Sequence, residues 1–264
     1  MTSSTQIHPY YLPCADEVEV FRAAFRQKLP LMLKGPTGCG KTRFVEHMAH
    51  QLGVPLISIA CHEDITAADL VGRYLLQGGE TVWFDGPLTR AVRQGAICYL
   101  DEVVEARADT TVVLHPLADH RRELNIERLG ESMRAPDNFM LVVSYNPGYQ
   151  SVLKDLKQST RQRMVAIEMH YPVAAKEIAI VRQESGIGEG AAADLVTLAN
   201  AIRKLDASSL PEVSSTRTLV STARLMQEGL SARAAATAAM VLPLSDDAEI
   251  THGLNEIINA YLPG

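Results

Sequence analysis

The sequence predicts an α/β fold in which a parallel sheet carries a phosphate-binding loop and a helical subdomain follows. A glycine-rich loop lies between an apolar run and an amphipathic stretch, and further apolar runs end in polar residues. After Tyr171-Pro172 only helical periodicity remains. We therefore expect an α/β core over residues 1–171 and a helical lid subdomain over residues 172–264.

The glycine-rich loop matches the phosphate-binding pattern G-x-x-x-x-G-K-[ST] at every position. Its backbone N–H groups would close around an anion, and the N-terminus of the following helix would add positive charge. Lys41 would reach the β- and γ-phosphates, and the Thr42 hydroxyl would ligate Mg²⁺. The sequence thus predicts that the protein binds a nucleoside triphosphate. The expected nucleotide-binding residues are Gly35, Pro36, Thr37, Gly38, Cys39, Gly40, Lys41 and Thr42.

The amino-acid composition argues against some classes of binding partner and against a membrane location. A formal net charge of −6 over 264 residues argues against duplex nucleic acid, whose phosphates are bound by clustered Lys and Arg. The four cysteines have no C-x-x-C spacing and are expected to be reduced thiols. No run approaches the ~20 apolar residues of a membrane span. We expect a cytoplasmic protein with no nucleic-acid partner and no membrane insertion.

Five apolar runs predict the strands of the sheet; the first, second and fourth are expected to be buried strands and the third a central strand. They cover residues 29–33, 55–60, 96–100, 139–144 and 164–169. Two hairpins are inserted between them: residues 74–84 turn at Gly78-Gly79, and residues 123–134 turn around Gly130. The first hairpin interrupts a helix that begins at the capping-box residue Thr66 and reopens at residue 86. A hairpin inserted into a helix is unusual. The alternative interpretation is that it is an ordinary surface segment of the chain.

Two carboxylates follow the third predicted strand, and they are a second indication of catalytic chemistry. The apolar run meets Asp101 and Glu102, and doubly wound sheets bind ligands at the carboxyl edge of their strands. Asp101 would hold Mg²⁺ through water, and Glu102 would polarise the attacking water. Asp-Glu after an apolar run is also an ordinary strand end, but its position downstream of a P-loop favours catalysis. After the fourth strand, Asn146 could fix this water or the γ-phosphate, although Asn-Pro alone usually marks a turn.

Residues after 172 carry three apolar stripes at helical spacing and no strand pattern. The stripes predict three packed helices in the lid subdomain. Their members are Leu195, Leu198, Ala199, Ile202 and Leu205; Leu219, Val220, Ala223 and Met226; and Ile250, Leu254, Ile257, Ile258 and Tyr261.

With these elements in place, the whole chain resembles the MoxR-type AAA+ ATPases. Specific strings at residues 34–45, 66–73, 85–89, 96–107 and 142–150 resemble the CbbQ/NorQ branch, which remodels rubisco or metalloenzymes. Two further strings, at residues 9–11 and 156–160, look closer to the rubisco-activating side. The resemblance implies ATP and Mg²⁺ as cofactors and a ring, usually a hexamer. It also implies an adaptor protein with a von Willebrand factor A domain that recruits the client.

The resemblance assigns further roles position by position. Asn146 matches sensor 1, and Arg217 matches the sensor 2 of the lid. Arg161 and Arg163 match the end of the helix that presents the arginine finger to the neighbouring subunit. Met164 stands where an aromatic residue commonly follows the finger, so either arginine could hold that role.

Two classes of function follow from this site. In the first, ATP hydrolysis drives a ring motor that remodels a client; in the second, the protein is a nucleotide-gated binding module. Glu102 favours the motor, because a switch has no need of a group that activates water. The expected activity is release of inhibitory sugar phosphates from rubisco, with activation of nitric oxide reductase by iron insertion as the alternative.

Overall fold

The structure is a computed structural model that describes residues 9–147, 158–205 and 214–262. The chain divides into two compact units. The first holds Ala15–Gly35 and the chain from Lys41 to Met169; the second runs from His170 onward and includes Tyr10–Cys14 and Pro36–Gly40. The two units divide after Met169, and the predicted domain boundary between residues 171 and 172 stays a prediction.

Nine strands are present in the described part of the first unit. They are β1 (Leu31–Lys34), β2 (Leu56–Ala60), β3 (Gly72–Gln77), β4 (Glu80–Asp85), β5 (Ile97–Asp101), β6 (Glu123–Ile126), β7 (Glu131–Arg134), β8 (Met140–Tyr145) and β9 (Val165–Glu168). Five of them form one parallel sheet in the order β2-β5-β8-β1-β9, and β3-β4 and β6-β7 form separate antiparallel hairpins. The predicted five-stranded sheet with two inserted hairpins is therefore confirmed.

The helices of the first unit precede β1 or occupy connections between the strands. They are α1 (Glu17–Arg26), α2 (Lys41–Leu52), α3 (Ala67–Val71), α4 (Pro87–Gln94), α5 (Ala108–Val112) and α6 (Gln158–Arg161). The capping box predicted at the start of α3 is present: the Thr66 side chain accepts from the Asp69 N–H, and the Asp69 carboxylate accepts from the Thr66 N–H. A helix predicted around residues 152–156 lies outside the described residues.

The core of the first unit is built around β5 and β8. Every residue of β8 and the first four residues of β5 are buried, as expected for central strands covered on both faces. The prediction that β2 is a buried strand is wrong: β2 lies at the edge of the sheet, and only Ile59 among its residues is fully buried. An edge strand has one neighbour, so an apolar run by itself does not distinguish it from a central strand.

The second unit is helical throughout its described residues after His170. Its helices are α7 (Ala174–Ser185), α8 (Glu189–Arg203), α9 (Thr216–Gln227), α10 (Ala232–Ala236), a π-helical segment (Thr237–Val241) and α11 (Ala248–Tyr261). The predicted stripes supply most of a common apolar core that includes Leu195, Leu219 and Leu254. Two stripe members, Leu205 and Tyr261, are exposed instead, because each lies at or beyond the end of its helix. None of the described helices has the length and apolar character to cross a membrane.

Candidate functional site

Polar residues gather at the carboxyl edge of the three central strands. The register pairs Leu100 of β5 with Val143 of β8, so Asp101 and Ser144 follow at the same level. On the other side of β8, Tyr145 pairs with Lys34 of β1. Strand β8 therefore lies between the strand that leads into the P-loop and the strand that ends in Asp101.

The P-loop connects β1 to α2, in the strand–loop–helix context that the motif requires. Lys41 is the first residue of α2, and its buried ammonium donates to the Gly35 carbonyl at 2.8 Å. The Gly35 N–H donates to the Tyr145 carbonyl of β8 at 3.3 Å. These contacts tie the first residue of the loop to the lysine side chain and to the central strand.

The tip of the P-loop belongs to the second compact unit. Gly38 has φ +70°, and a Cβ atom built there would lie 2.5 Å from both Cβ and Oγ of Ser215. The same position is 3.5 Å from the Cβ of Arg217, whose side chain is exposed on the first turn of α9. Both the left-handed backbone and the close approach therefore require glycine at position 38.

The two predicted Mg²⁺ ligands lie next to each other. The Thr42 hydroxyl donates to Oδ2 of Asp101 at 3.1 Å. Burial, followed by the charges of Asp101 and Glu102, raises the pKa of the Cys61 thiol to about 12, so this edge of the sheet disfavours added negative charge. A hydroxyl and a carboxylate in such surroundings are the hard oxygen donors that Mg²⁺ accepts alongside substrate phosphates. These residues fit a nucleotide-bound Mg²⁺.

The other oxygen of Asp101 is held by two hydroxyl groups that the sequence analysis did not select. Oδ1 accepts from Ser144 Oγ at 2.5 Å and lies 2.7 Å from Tyr99 Oη. Burial and the neighbouring Asp101 charge raise the pKa of Tyr99, so its phenol remains a donor. Both residues lie inside apolar strands. Alternation along β5 places Tyr99 on the same face as Asp101, whereas the contact of Ser144 depends on the pairing of β8 with β5.

Glu102 leaves the sheet through an uncommon backbone conformation. Its φ of 54° is left-handed, and its N–H donates to Ser144 Oγ at 3.2 Å. The side chain is exposed, and a short 3₁₀ helix, Val103–Glu105, begins directly after it. Ser144 thus contacts both the Asp101 carboxylate and the backbone of Glu102.

The remaining predicted site residues of the first unit occupy different surroundings. Asn146 is half-buried and directly follows β8. Arg161, at the end of α6, donates to the Tyr145 hydroxyl at 3.1 Å, and its guanidinium carbon lies 5.9 Å from the centre of that ring. Arg163 is exposed two residues later. The two finger candidates therefore differ in exposure, since Arg161 is half-buried.

Two family models match the chain. The model described as AAA domain (dynein-related subfamily) matches residues 30–164, and the model described as CbbQ/NirQ/NorQ C-terminal matches residues 177–261. Together they cover four of the five strands of the parallel sheet and most of the helical unit. The predicted family resemblance is confirmed.

Individual relatives agree with these models. The chain is 60% identical over 252 residues to Protein NorQ of Paracoccus denitrificans (strain Pd 1222), covering 96% of this chain and 93% of that protein. It is 53% identical over 246 residues to Protein CbbQ of Hydrogenophilus thermoluteolus, covering 93% and 92%. A solved RuvB mutant of Thermotoga maritima has a TM-score of 0.56 at 13% identity, over 91% of this chain and 67% of that chain. At this low identity, the similarity to the RuvB structure is a similarity of fold alone.

Proposed function

Because the chain belongs to the CbbQ/NirQ/NorQ family of AAA+ ATPases, we propose that it uses ATP hydrolysis to remodel a client enzyme. One observation carries the proposal: Thr42 of the P-loop and Asp101 share a hydrogen bond at 3.1 Å, with Glu102 next in the chain. This arrangement brings a phosphate-binding loop, a pair of metal ligands and a carboxylate able to act on water to the same edge of the sheet.

Each residue of this edge has a distinct task in the proposed reaction. Backbone N–H groups of the loop after Pro36 and the Lys41 ammonium bind the β- and γ-phosphates. Thr42 and Asp101 hold Mg²⁺, which when bound neutralises charge on the phosphate oxygens. Glu102 accepts a proton from the water that attacks the γ-phosphorus, and Asn146 orients that water. Arg217 lies on the first turn of α9 and contacts the phosphate from the lid.

The motor is favoured over a nucleotide-gated binding module. The left-handed backbone of Glu102 and its hydrogen bond to Ser144 fix the direction in which this residue leaves the sheet. A backbone conformation that costs about 1–3 kcal/mol persists where the surrounding structure or the function requires it. A binding module would need the P-loop and Asp101 but not a fixed carboxylate beside them.

We further propose that the protein acts as a ring, a homo-hexamer, together with an adaptor that carries a von Willebrand factor A domain. The exposed side chain of Arg163 supports the ring, because a finger arginine works on the nucleotide of the neighbouring subunit. Arg161 is the second choice for this role, since it is half-buried.

Two clients are supported by different observations. The strings at residues 9–11 and 156–160 favour rubisco, from which the ring would release inhibitory sugar phosphates. The 60% identity to Protein NorQ, against 53% to Protein CbbQ, favours nitric oxide reductase and the insertion of its iron. Both clients would use the same ATPase site.

The test is a client assay with the protein, its adaptor and ATP. Carboxylation by inhibitor-blocked rubisco should recover with the parental chain and stay flat with Glu102→Gln, which retains ATP binding but loses hydrolysis. Lys41→Ala should lose nucleotide binding itself. A parallel sample measures the iron content of nitric oxide reductase matured with the same pair.

The outcomes separate the alternatives. Flat carboxylation with a gain of iron in the reductase would assign the second client. No effect on either enzyme would contradict the remodelling proposal. ATP hydrolysis by Glu102→Gln at the parental rate would remove Glu102 as the base.

A further inference from the structure

A buried ion pair lies in the second compact unit, apart from the residues assigned above. The two terminal guanidinium nitrogens of Arg203, Nη1 and Nη2, donate to the two Glu177 oxygens at 2.8 Å. The Glu177 side chain is 0% exposed and the Arg203 side chain 11%. The pair joins α7 to the last residue of α8. Since buried charges are costly unless fully paired, the geometry of this bidentate contact is tightly determined.

The same pair holds the start of α9. Arg203 Nε donates to the Ser214 carbonyl at 2.6 Å, and the Thr216 hydroxyl donates to Glu177 Oε1 at 2.6 Å. Ser215, between these two residues, is the N-cap of α9, and its side chain accepts from the Thr218 N–H. The ion pair therefore holds the backbone carbonyl before the cap and the side chain after it, and this second residue directly precedes Arg217.

A third contact connects the ion pair to the P-loop tip. The Arg203 guanidinium carbon lies 4.0 Å from the centre of the Tyr171 ring, a cation–π contact. The Tyr171 hydroxyl donates to the Thr37 carbonyl at 2.9 Å. Within this compact unit, Gly38 also lies directly against Ser215. Tyr171 and Ser215 thus contact neighbouring residues of the loop.

We propose that Tyr171, Arg203 and Glu177 form a positioning cluster that fixes the P-loop tip and the first turn of α9 for nucleotide phosphates. The proposal rests on the nucleotide-binding function proposed above. Because a trans peptide is planar, its C=O and N–H point in opposite directions. Holding the Thr37 carbonyl toward Tyr171 therefore directs the Gly38 N–H away from Tyr171. That N–H is one of the donors expected to surround the phosphates.

Tyr171→Phe tests the cluster with little disturbance. The variant loses the hydrogen bond to Thr37 and keeps the ring under Arg203. The Kd of a fluorescent ATP analogue with Mg²⁺ should rise about 2- to 10-fold, the range expected for one lost hydrogen bond between neutral groups. KM for ATP should rise while kcat changes less, since the contact acts on binding. Tyr261→Phe, an exposed tyrosine of α11, is the matched control and should leave both unchanged.

The melting temperature without nucleotide separates positioning from folding. It should be unchanged in Tyr171→Phe, while the stabilisation gained on adding nucleotide should shrink. An unchanged Kd in Tyr171→Phe, with tight binding by the parental chain, would overturn the cluster and leave the proposed function intact. A weaker Kd accompanied by a lower nucleotide-free melting temperature would assign Tyr171 a structural role and also overturn it. Failure of the parental chain to bind the analogue would overturn the proposed function and the cluster together.

Discussion

Ser144 is the residue through which the two carboxylates of the site are connected. Its hydroxyl donates to Asp101, and the same oxygen accepts from the Glu102 N–H and lies 3.0 Å from Tyr99 Oη. The residue is fully buried, so water cannot replace these contacts. Loss of a group that holds a metal-binding carboxylate typically lowers metal affinity or activity by about 10–100-fold.

Ser144→Ala should weaken Mg²⁺-dependent ATP hydrolysis by about 10–100-fold, because Asp101 and the Glu102 backbone lose a shared partner. The Mg²⁺ concentration for half-maximal activity should also rise. Both are measured by a steady-state assay over a Mg²⁺ titration. Ser58→Ala, an exposed position on β2, is the matched control. Parental Mg²⁺ dependence in Ser144→Ala would contradict the positioning role of this hydroxyl.

The β3–β4 hairpin is the element with the clearest exposed apolar surface in the first unit. Gly78 and Gly79 both have positive φ, which suits the two-residue turn between its strands. Leu76, next to the turn, is 78% exposed, and residues on both faces of the hairpin are also exposed. The exposed apolar side chains are Tyr74, Leu75, Leu76, Val82 and Phe84. A two-stranded hairpin outside the main sheet gains little by itself from such residues, which favours contact with another protein.

The hairpin base is nevertheless anchored. The Trp83 indole donates to Asp85 at 2.7 Å, and Arg93 of α4 donates to the other oxygen of the same carboxylate. Tyr74 packs edge-on against Trp83 with ring centres 5.2 Å apart. The base therefore fixes the direction of the hairpin while its apolar side chains remain exposed.

Replacing residues 74–84 by a short Gly-Ser link should leave ATP binding intact and abolish client activation, since the hairpin is proposed to contact the client or adaptor. A milder variant, Leu76→Asp, should reduce activation in the same assay because it places a charge on the exposed apolar surface. Leu242→Asp, at an exposed leucine of the second unit, is the matched control. Full client activation by the replacement variant would exclude the hairpin as the contact.

At the scale of the whole molecule, the site needs a contribution from a neighbouring subunit if Arg163 is the finger. A finger arginine is worth about 10³–10⁵ in rate, or roughly 4–7 kcal/mol of barrier. Because a neighbour must place it, hydrolysis should depend on assembly and fall on dilution. Arg161 is half-buried whereas Arg163 is exposed, and this exposure favours Arg163 as the finger.

Mixing Arg163→Ala subunits with Lys41→Ala subunits should restore part of the ATPase activity that each variant lacks alone. At some interfaces an intact P-loop then faces an intact finger. The measurement is steady-state hydrolysis across mixing ratios in rings shown to be mixed. Lys41→Ala mixed with Glu102→Gln is the control: both defects lie in the subunit that binds the nucleotide, so no recovery is expected. Absence of recovery for both Arg163→Ala and Arg161→Ala would contradict the finger assignment.

The sequence by itself determined the local elements of this protein. The P-loop pattern, the apolar runs of the five strands, the Gly78-Gly79 turn and the capping box of α3 all depend on residues close together in the chain. The family followed from short strings of the same kind. Local signals suffice here because hydrogen bonds within a turn and the burial of one helix face are set by neighbouring residues.

Only the tertiary structure decided the order of the strands and the partners of buried polar groups. The placement of β8 between β1 and β5 brings Ser144 to Asp101, and the packing of α7 against α8 brings Glu177 to Arg203. The apolar pattern of β2 likewise did not indicate that β2 is an edge strand. Periodicity reports which face of an element is apolar but not which distant residue that face meets. A buried hydroxyl or charge must find its partner across the fold, and the path of the whole chain selects that partner.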